Sequence, residues 1–94
     1  MKLVWLRQAV RSRERQLDHI AEHNPAAAAR IEQIIVDAVR HLTDHPHMGR
    51  IGRVRGTREL VIPRTPFIIV YEVEGGAIRV IRVPHAAQRW PTLR

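Results

Sequence analysis

The sequence predicts an α+β fold in which a helical hairpin packs on one face of a mostly antiparallel four-stranded sheet. Three observations lead to this prediction: a long amphipathic stripe before Pro46, two apolar segments joined by Gly75-Gly76, and the element order β-α-α-β-β-β. At 94 residues, a single domain spanning residues 1–94 is expected. The absence of cysteine excludes a disulfide scaffold and any thiolate metal site.

The first two elements are a short strand and a helix. Residues 2–6 are apolar and partly β-favouring, which predicts the strand. Residues 8–23 predict a helix because their apolar positions fall mostly on one face. These positions are Val10, Leu17, Ile20 and Ala21.

The second helix has clear signals at both ends. Asn24 is a favourable N-cap and Pro25 suits the first helical position, where its missing N–H has no intrahelical partner. A continuous apolar stripe follows at spacings of three and four, made of Ala27, Ala28, Ile31, Ile34, Ile35, Ala38, Val39 and Leu42. The helix should end near Asp44-His45-Pro46. The short junction at Asn24 predicts an antiparallel hairpin of the two helices.

The second half of the chain predicts a loop and then three strands. The loop covers residues 47–57, and the strands cover residues 58–62, 67–73 and 77–83. The middle strand is apolar on both faces for most of its length, so it should be central in the sheet. Gly75-Gly76 predicts a tight hairpin turn. Simple alternation along the last strand places Arg79 and Arg82 on opposite faces.

The positive charge is concentrated in the second half of the chain. The net charge is +7, and residues 49–94 contain nine Arg but only three Glu, a net of +6. Arg pairs well with carboxylates and phosphates because its planar guanidinium binds two oxygens at once. This distribution predicts an anionic partner, either a nucleic acid or an acidic protein segment, with a solvated basic surface as the alternative.

The six histidines do not form a recognisable metal motif. Two pairs have helical spacing, His19 with His23 and His41 with His45, but the predicted hairpin separates them by roughly 30 Å. Neither pair alone supplies the three or four ligands that a protein metal site usually has. We therefore expect neither a metal nor a cofactor.

Several basic and aromatic residues cluster on or near the predicted sheet: Arg58, Arg64, Tyr71, Arg79, Arg82, His85, Arg89 and Trp90. Metal-free phosphodiester cleavage needs an acid, a base and cations around the phosphate. His85 could supply the acid or base, and Arg58 and Arg82 could hold the phosphate. The alternative is structural: His85 closes the sheet edge and Trp90 packs as a C-terminal plug.

Three segments resemble one known family. Gly52-Arg53-Val54-Arg55-Gly56-Thr57-Arg58-Glu59-Leu60 is similar to the Gly-x-x-x-Gly-x-Arg-Glu-Leu stretch of the ParE branch of the RelE/ParE toxin superfamily. The hairpin Ile69-Val70-Tyr71-Glu72-Val73 with Gly75-Gly76 also resembles that branch. So does the ending Ile81-Arg82-Val83-Pro84-His85-Ala86-Ala87-Gln88-Arg89-Trp90. One departure is Pro84-His85-Ala86, where Leu-His-Gly is commoner.

The apolar run within residues 1–7 is far too short for a signal peptide or a membrane span, so a cytoplasmic protein without a membrane partner is expected. The resemblance implies a toxin of a type II toxin–antitoxin module, of the kind also called plasmid stabilisation proteins. A cognate antitoxin would neutralise it through an acidic C-terminal segment. ParE toxins inhibit DNA gyrase, whereas RelE toxins cleave mRNA on the ribosome. The residues expected to bind partners are Arg58, Arg64, Arg79, Arg82, Arg89 and Trp90.

The sequence favours the gyrase branch and a mode of action without catalysis. RelE-type nucleases rely on a site rich in Lys and Arg with a C-terminal Tyr, but here Lys2 is the only Lys and Tyr71 lies mid-strand. A related nuclease subgroup uses Glu, Arg and a C-terminal His. Arg58 and His85 could match two of these, but Glu59 should point to the opposite face from Arg58. A ribosome-dependent endoribonuclease and a non-toxic antitoxin-binding module remain the alternatives.

Overall fold

Two helices and a five-stranded sheet form the fold in residues 1–86, which are the residues that the computed structural model describes. The α+β class and the helical hairpin predicted from the sequence are confirmed. The elements are β1 (Lys2–Trp5), α1 (Arg7–Ala21), α2 (Pro25–Leu42), β2 (Arg50–Ile51), β3 (Arg58–Val61), β4 (Ile68–Glu74) and β5 (Ala77–Arg82).

The strands follow the spatial order β1-β5-β4-β3-β2. β1 is parallel to β5, and every other neighbouring pair is antiparallel. The fifth strand, β2, lies inside the segment that the sequence predicted as a loop. It has only two residues, and one of them, Arg50, lies opposite Glu59 and forms an ion pair with it. A strand this short has no periodicity for the sequence to reveal.

Both helices pack on one face of the sheet, and their ends agree closely with the prediction. The Asn24 side chain caps α2 by accepting a hydrogen bond from the Ala27 N–H (3.0 Å). The buried core between helices and sheet includes Ile35, Val39, Leu42, Ile69, Tyr71, Ile78 and Val80. Within residues 1–86, neither helix is long and apolar enough to cross a membrane.

The helix α1 buries a serine that its apolar pattern did not reveal. The Ser12 hydroxyl donates to the Val83 carbonyl (2.9 Å) and accepts from the Val83 N–H (3.2 Å). Val83 lies just after β5, and Ser12 satisfies both of its backbone groups, while Gln16 makes a longer contact to the same carbonyl (3.5 Å). This side chain thereby ties α1 directly to the end of the sheet.

A β-bulge in β5 changes which side chains share a face. Arg79 lies opposite Glu72 and Arg82 lies opposite Val70, so Ile81 is an extra residue in the ladder. Glu72 and Val70 are on the same face of β4, since they are two residues apart. Arg79 and Arg82 therefore lie on the same, helix-free face. The prediction that they point to opposite faces was wrong because one inserted residue reverses the alternation.

Candidate partner-binding site

The predicted site residues fall into separate regions. Arg58 lies on the helix-covered face of β3, and Arg64 lies in the turn that follows β3. Arg79 and Arg82 occupy the open face of the sheet. His85 follows β5, where it bridges to Phe67. Two further predicted residues, Arg89 and Trp90, lie outside the described residues.

Arg58 binds the turn that connects α2 to β2. Its Nη1 donates to the Gly49 carbonyl (2.8 Å) and to the His47 carbonyl (3.3 Å). These carbonyls precede a two-residue strand, so little other secondary structure holds them. Arg58 is therefore engaged in stabilising this turn, which limits its capacity to hold a phosphate.

Tyr71 holds the same turn from the neighbouring strand. Its buried hydroxyl accepts from the Gly49 N–H (2.9 Å) and donates to the Pro46 carbonyl (2.8 Å). Burial raises the pKa of Tyr71, although the hydrogen bond from Gly49 and the charge of Arg58 oppose this rise. A hydroxyl with both roles filled and a raised pKa is poorly suited to exchange protons with a substrate.

Glu59 is a buried carboxylate on the open face of the sheet. It accepts hydrogen bonds from the Arg50 guanidinium and the Arg53 backbone N–H, both at 3.0 Å. Burial raises the pKa of Glu59, but the two hydrogen bonds and the charges of Arg53 and Arg50 outweigh it and leave this pKa lowered. An ionised carboxylate is thus stabilised inside the fold.

The Glu59 carboxylate gives the Gly-x-x-x-Gly-x-Arg-Glu-Leu stretch a structural role. The loop closes on itself where the Gly52 N–H donates to the Thr57 carbonyl (2.8 Å), and Gly56 adopts a left-handed φ of 84°. Glu59 then fastens the loop through Arg53. In this chain the motif builds a closed loop on the sheet, and the prediction that Glu59 and Arg58 point to opposite faces is confirmed by their register.

Carboxylates neutralise part of the basic charge of the second half. Arg79 lies 3.4 Å from both Glu72 and Glu74, and it is partly exposed. All three glutamates of this half, Glu59 included, therefore pair with arginines. The exposed Arg64 is different, because it makes no hydrogen bond or ion pair with any of residues 1–86.

The three residues considered for RNA cleavage do not form one constellation. Arg58 pairs with Tyr71 on the β3 side of β4. His85 pairs with Phe67, which precedes Tyr71 by four residues, on the β5 side. Arg82 is on the face opposite to Arg58. The His85 ring packs edge-on against Phe67 with centroids 5.7 Å apart. The two arginines considered as phosphate ligands thus lie on opposite faces of the sheet, and His85 is beside neither of their partners on β4.

Within each histidine pair, the two rings contact each other. The rings of His41 and His45 stack with centroids 4.7 Å apart, and those of His19 and His23 meet edge-on at 6.1 Å. Among residues 1–86, no group of three or more His, Asp or Glu side chains could hold a metal ion.

A groove runs between α2 and β3. One cavity of about 320 Å³ is lined by side chains from both elements and by Arg64. A second, more open cavity of about 470 Å³ adjoins it, and both are lined by His41 and Met48. Met48 and Val61, which are 44% and 52% exposed, are among the residues that line these cavities. We call this surface the α2–β3 groove; its apolar members include Ile34, Ala38, Met48, Leu60 and Val61.

Sequence reasoning missed the apolar part of this groove. Met48 lies in the predicted loop and Val61 in a predicted strand, and neither position alone indicates a binding surface. β2 pairs only with Arg58 and Glu59, so the backbone of Leu60 and Val61 lies at an edge of the sheet, and the sequence did not reveal this edge.

Comparisons with known proteins agree with one another. A family model described as the ParE toxin of the type II toxin–antitoxin system, parDE, matches residues 3–90. A Sinorhizobium fredii protein named "Putative toxin Y4kP" is 37% identical over 96% of this chain and 93% of its own length. Toxin RelE2 of Caulobacter vibrioides is 29% identical over 93% of this chain and 97% of its own.

A solved structure has the same fold. It is described as a chromosomal ParDE TA system from P. aeruginosa, and its matching chain is 31% identical with a TM-score of 0.82. The match covers 90% of this chain and 95% of the other. The family model and this solved structure agree: the chain belongs to the ParE toxins of type II toxin–antitoxin systems.

Proposed function

We propose that this toxin inhibits DNA gyrase by binding to it and that a cognate antitoxin neutralises it by occupying the α2–β3 groove. The main observation in support is the arrangement of Arg58 and Tyr71. Both are engaged in holding the turn at Gly49, and neither joins His85 or Arg82 in a common site. Such an arrangement suits a toxin that acts by binding better than one that cleaves RNA.

The groove supports an antitoxin partner. Its lining combines an exposed apolar residue, Met48, with a basic residue at its edge, Arg64. An amphipathic segment fits a surface of this kind, because its apolar side enters the groove while its charged side stays in water. The related structure from P. aeruginosa is itself described as a ParDE system.

The partner-binding arginines divide between two surfaces in this proposal. Arg64 serves the groove, whereas Arg79 and Arg82 serve the open face of the sheet. Arg58 acts indirectly by stabilising the turn between them. Arg89 and Trp90 stay in the proposed set as residues outside the described part of the chain.

A supercoiling assay with purified gyrase tests the target. The toxin should inhibit supercoiling and increase the amount of gyrase–DNA cleavage complex, and an equimolar antitoxin should reverse both effects. RNA in the same reaction should stay intact. Uninhibited supercoiling at micromolar toxin would contradict the gyrase proposal.

The second candidate function is RelE-like cleavage of mRNA on the ribosome. The names of two relatives favour it, Toxin RelE2 and Toxin RelE1 of Caulobacter vibrioides, the latter 32% identical over 87% of this chain. In a translation extract this function predicts mRNA cleavage that is lost in His85→Ala. His23→Ala is the matched control, because His23 is exposed and lies at the far end of the helical hairpin. A His85→Ala variant that cleaves normally would exclude His85 as the catalytic acid or base.

A third possibility is a module that binds its antitoxin but has lost toxicity. Expression of the chain alone in bacteria distinguishes it, since a toxin slows growth and a binding module does not. Growth arrest that co-expressed antitoxin relieves is the outcome expected for the proposed function.

A further inference from the structure

The turn after β3 contains an arginine in an unfavourable backbone conformation. Arg64 has a φ of 65°, and within residues 1–86 no other residue besides glycine has a positive φ. The Thr65 N–H donates to the Ile62 carbonyl (3.3 Å), with Pro63 and Arg64 between them. This matches a type II turn, in which proline favours the second position and the third requires a left-handed residue, usually Gly.

The turn itself gives no reason for an arginine at this position. The Thr65 hydroxyl donates to the Ile62 carbonyl (3.0 Å) and accepts from the Phe67 N–H (3.1 Å), which fixes the turn without help from the Arg64 side chain. That side chain is exposed and forms no hydrogen bond or ion pair with the described part of the chain. Among residues 1–86, no hydrogen bond or ion pair of the Arg64 side chain compensates this strain, and strain of this kind is concentrated at functional sites.

The position of Arg64 indicates which kind of partner could compensate its backbone strain. The residue lines one side of the α2–β3 groove, and Asp37 on α2 lines the same cavity. The groove between them is largely apolar, with Met48, Leu60 and Val61 in its lining. Asp37 already accepts a hydrogen bond from Gln33 (2.9 Å), whereas the Arg64 guanidinium donates to none of residues 1–86. A guanidinium beside an apolar groove is complementary to an amphipathic segment that carries a carboxylate.

We propose that Arg64 is a specificity-determining residue for the antitoxin: its left-handed backbone directs the guanidinium to the groove, where it binds a carboxylate of the amphipathic antitoxin segment. This inference rests on the proposed function, because it takes the antitoxin as the occupant of the groove. It goes further by assigning the selection of the correct antitoxin to one residue, Arg64.

The test combines unfolding with binding. The purified product of the neighbouring reading frame is titrated calorimetrically into wild-type toxin and into Arg64→Gly, Arg64→Glu and Arg55→Glu. Arg55 is an exposed arginine of the loop at residues 52–57, so its reversal makes the same change of charge away from the groove. Thermal unfolding of each free toxin is measured in parallel.

The expected result is a separation of stability from binding. Arg64→Gly should raise the melting temperature by roughly 3 °C because glycine adopts the left-handed backbone freely. It should also weaken antitoxin binding by about tenfold to a hundredfold, as for loss of a charge-assisted hydrogen bond. Arg64→Glu should bind more weakly still, and Arg55→Glu should bind within about threefold of wild type.

Other outcomes overturn the inference in distinguishable ways. Unchanged affinity in Arg64→Gly would exclude the carboxylate contact, and equal losses in all three variants would indicate diffuse charge attraction instead. A lower melting temperature in Arg64→Gly would remove the argument from strain. If the wild-type toxin does not bind the antitoxin at all, the proposed function fails and this inference fails with it.

Discussion

Arg58 and Tyr71 lie directly opposite each other on β3 and β4, and both bind Gly49. Tyr71 accepts the Gly49 N–H at 2.9 Å, while Arg58 donates to the Gly49 carbonyl at 2.8 Å. A Cβ atom on Gly49 would come within 2.7 Å of the Tyr71 hydroxyl oxygen, so a larger residue would force these contacts apart. The pair thus fixes the turn that forms one end of the α2–β3 groove.

Replacement of Tyr71 by Phe should lower the free energy of unfolding by about 1–3 kcal/mol. The ring still fills the core, but the Gly49 N–H and the Pro46 carbonyl lose their hydrogen-bond partner. Urea denaturation measures the difference. Thr43→Val is the control, because it removes an exposed hydroxyl that donates to the Arg40 carbonyl. Equal losses in the two variants would show that the buried hydroxyl has no special role.

Replacement of Glu59 by Gln should also destabilise the fold, by about 1–3 kcal/mol at neutral pH. A glutamine there would keep the size of the side chain but lose the charge that attracts Arg50 and Arg53. Glu74→Gln is the matched control, because Glu74 pairs with Arg79 but is 73% exposed, and it should cost little. Chemical denaturation of both variants at pH 7 makes the comparison.

The stability that Glu59 contributes should depend on pH. Its folded-state pKa is lowered from the ordinary value of 4.5, so the unfolded chain takes up this proton first as the pH falls. The contribution is fully present above about pH 4.5 and is lost as the pH falls through the folded pKa. The difference in unfolding free energy between wild type and Glu59→Gln should therefore shrink below pH 4.5. A difference that stays constant down to about pH 3 would contradict a lowered pKa.

Replacement of Ser12 by Ala should lower the free energy of unfolding by about 1–3 kcal/mol, which is large for the loss of one hydroxyl. The buried Val83 N–H depends on that hydroxyl, and without it the Val83 carbonyl keeps only the longer contact with Gln16 (3.5 Å). Thermal melts of Ser12→Ala and of Gln33→Ala provide the comparison, since Gln33 makes one exposed hydrogen bond to Asp37. A similar effect in both variants would mean that water replaces the Ser12 contacts.

The helices and long strands were predictable because their signals are local. Asn24 and Pro25 fix the start of α2, and the spacing of its apolar residues fixes its buried face. The turn at Gly75-Gly76 likewise joins β4 to β5 as predicted, and both glycines have positive φ. Each of these features depends on residues close together in the chain.

The site depends on contacts between distant segments, which a single sequence does not reveal. Tyr71 lies 22 positions from Gly49, and Ser12 lies 71 positions from Val83. The sequence identified Arg58 as a basic residue near the sheet, but its partners are backbone carbonyls of a turn, and carbonyls carry no sequence signal. Its charge alone predicts a partner-binding role for Arg64. The unusual backbone conformation that distinguishes this residue is visible only in three dimensions.

The extra residue Ile81 determines which face of the sheet the next two side chains, Arg82 and Val83, occupy. Because of it, Val83 is buried against the helices while Arg82 lies on the other face. Deletion of Ile81 would remove only the unpaired residue and leave Arg82 opposite Val70 on the open face. Regular pairing at the present length would instead turn the Arg82 guanidinium into the core in place of Val83, which an apolar interior accepts only at a cost of several kcal/mol. The bulge is therefore the feature that keeps an arginine out of the core, and a β5 shortened by Ile81 alone should keep the same two faces.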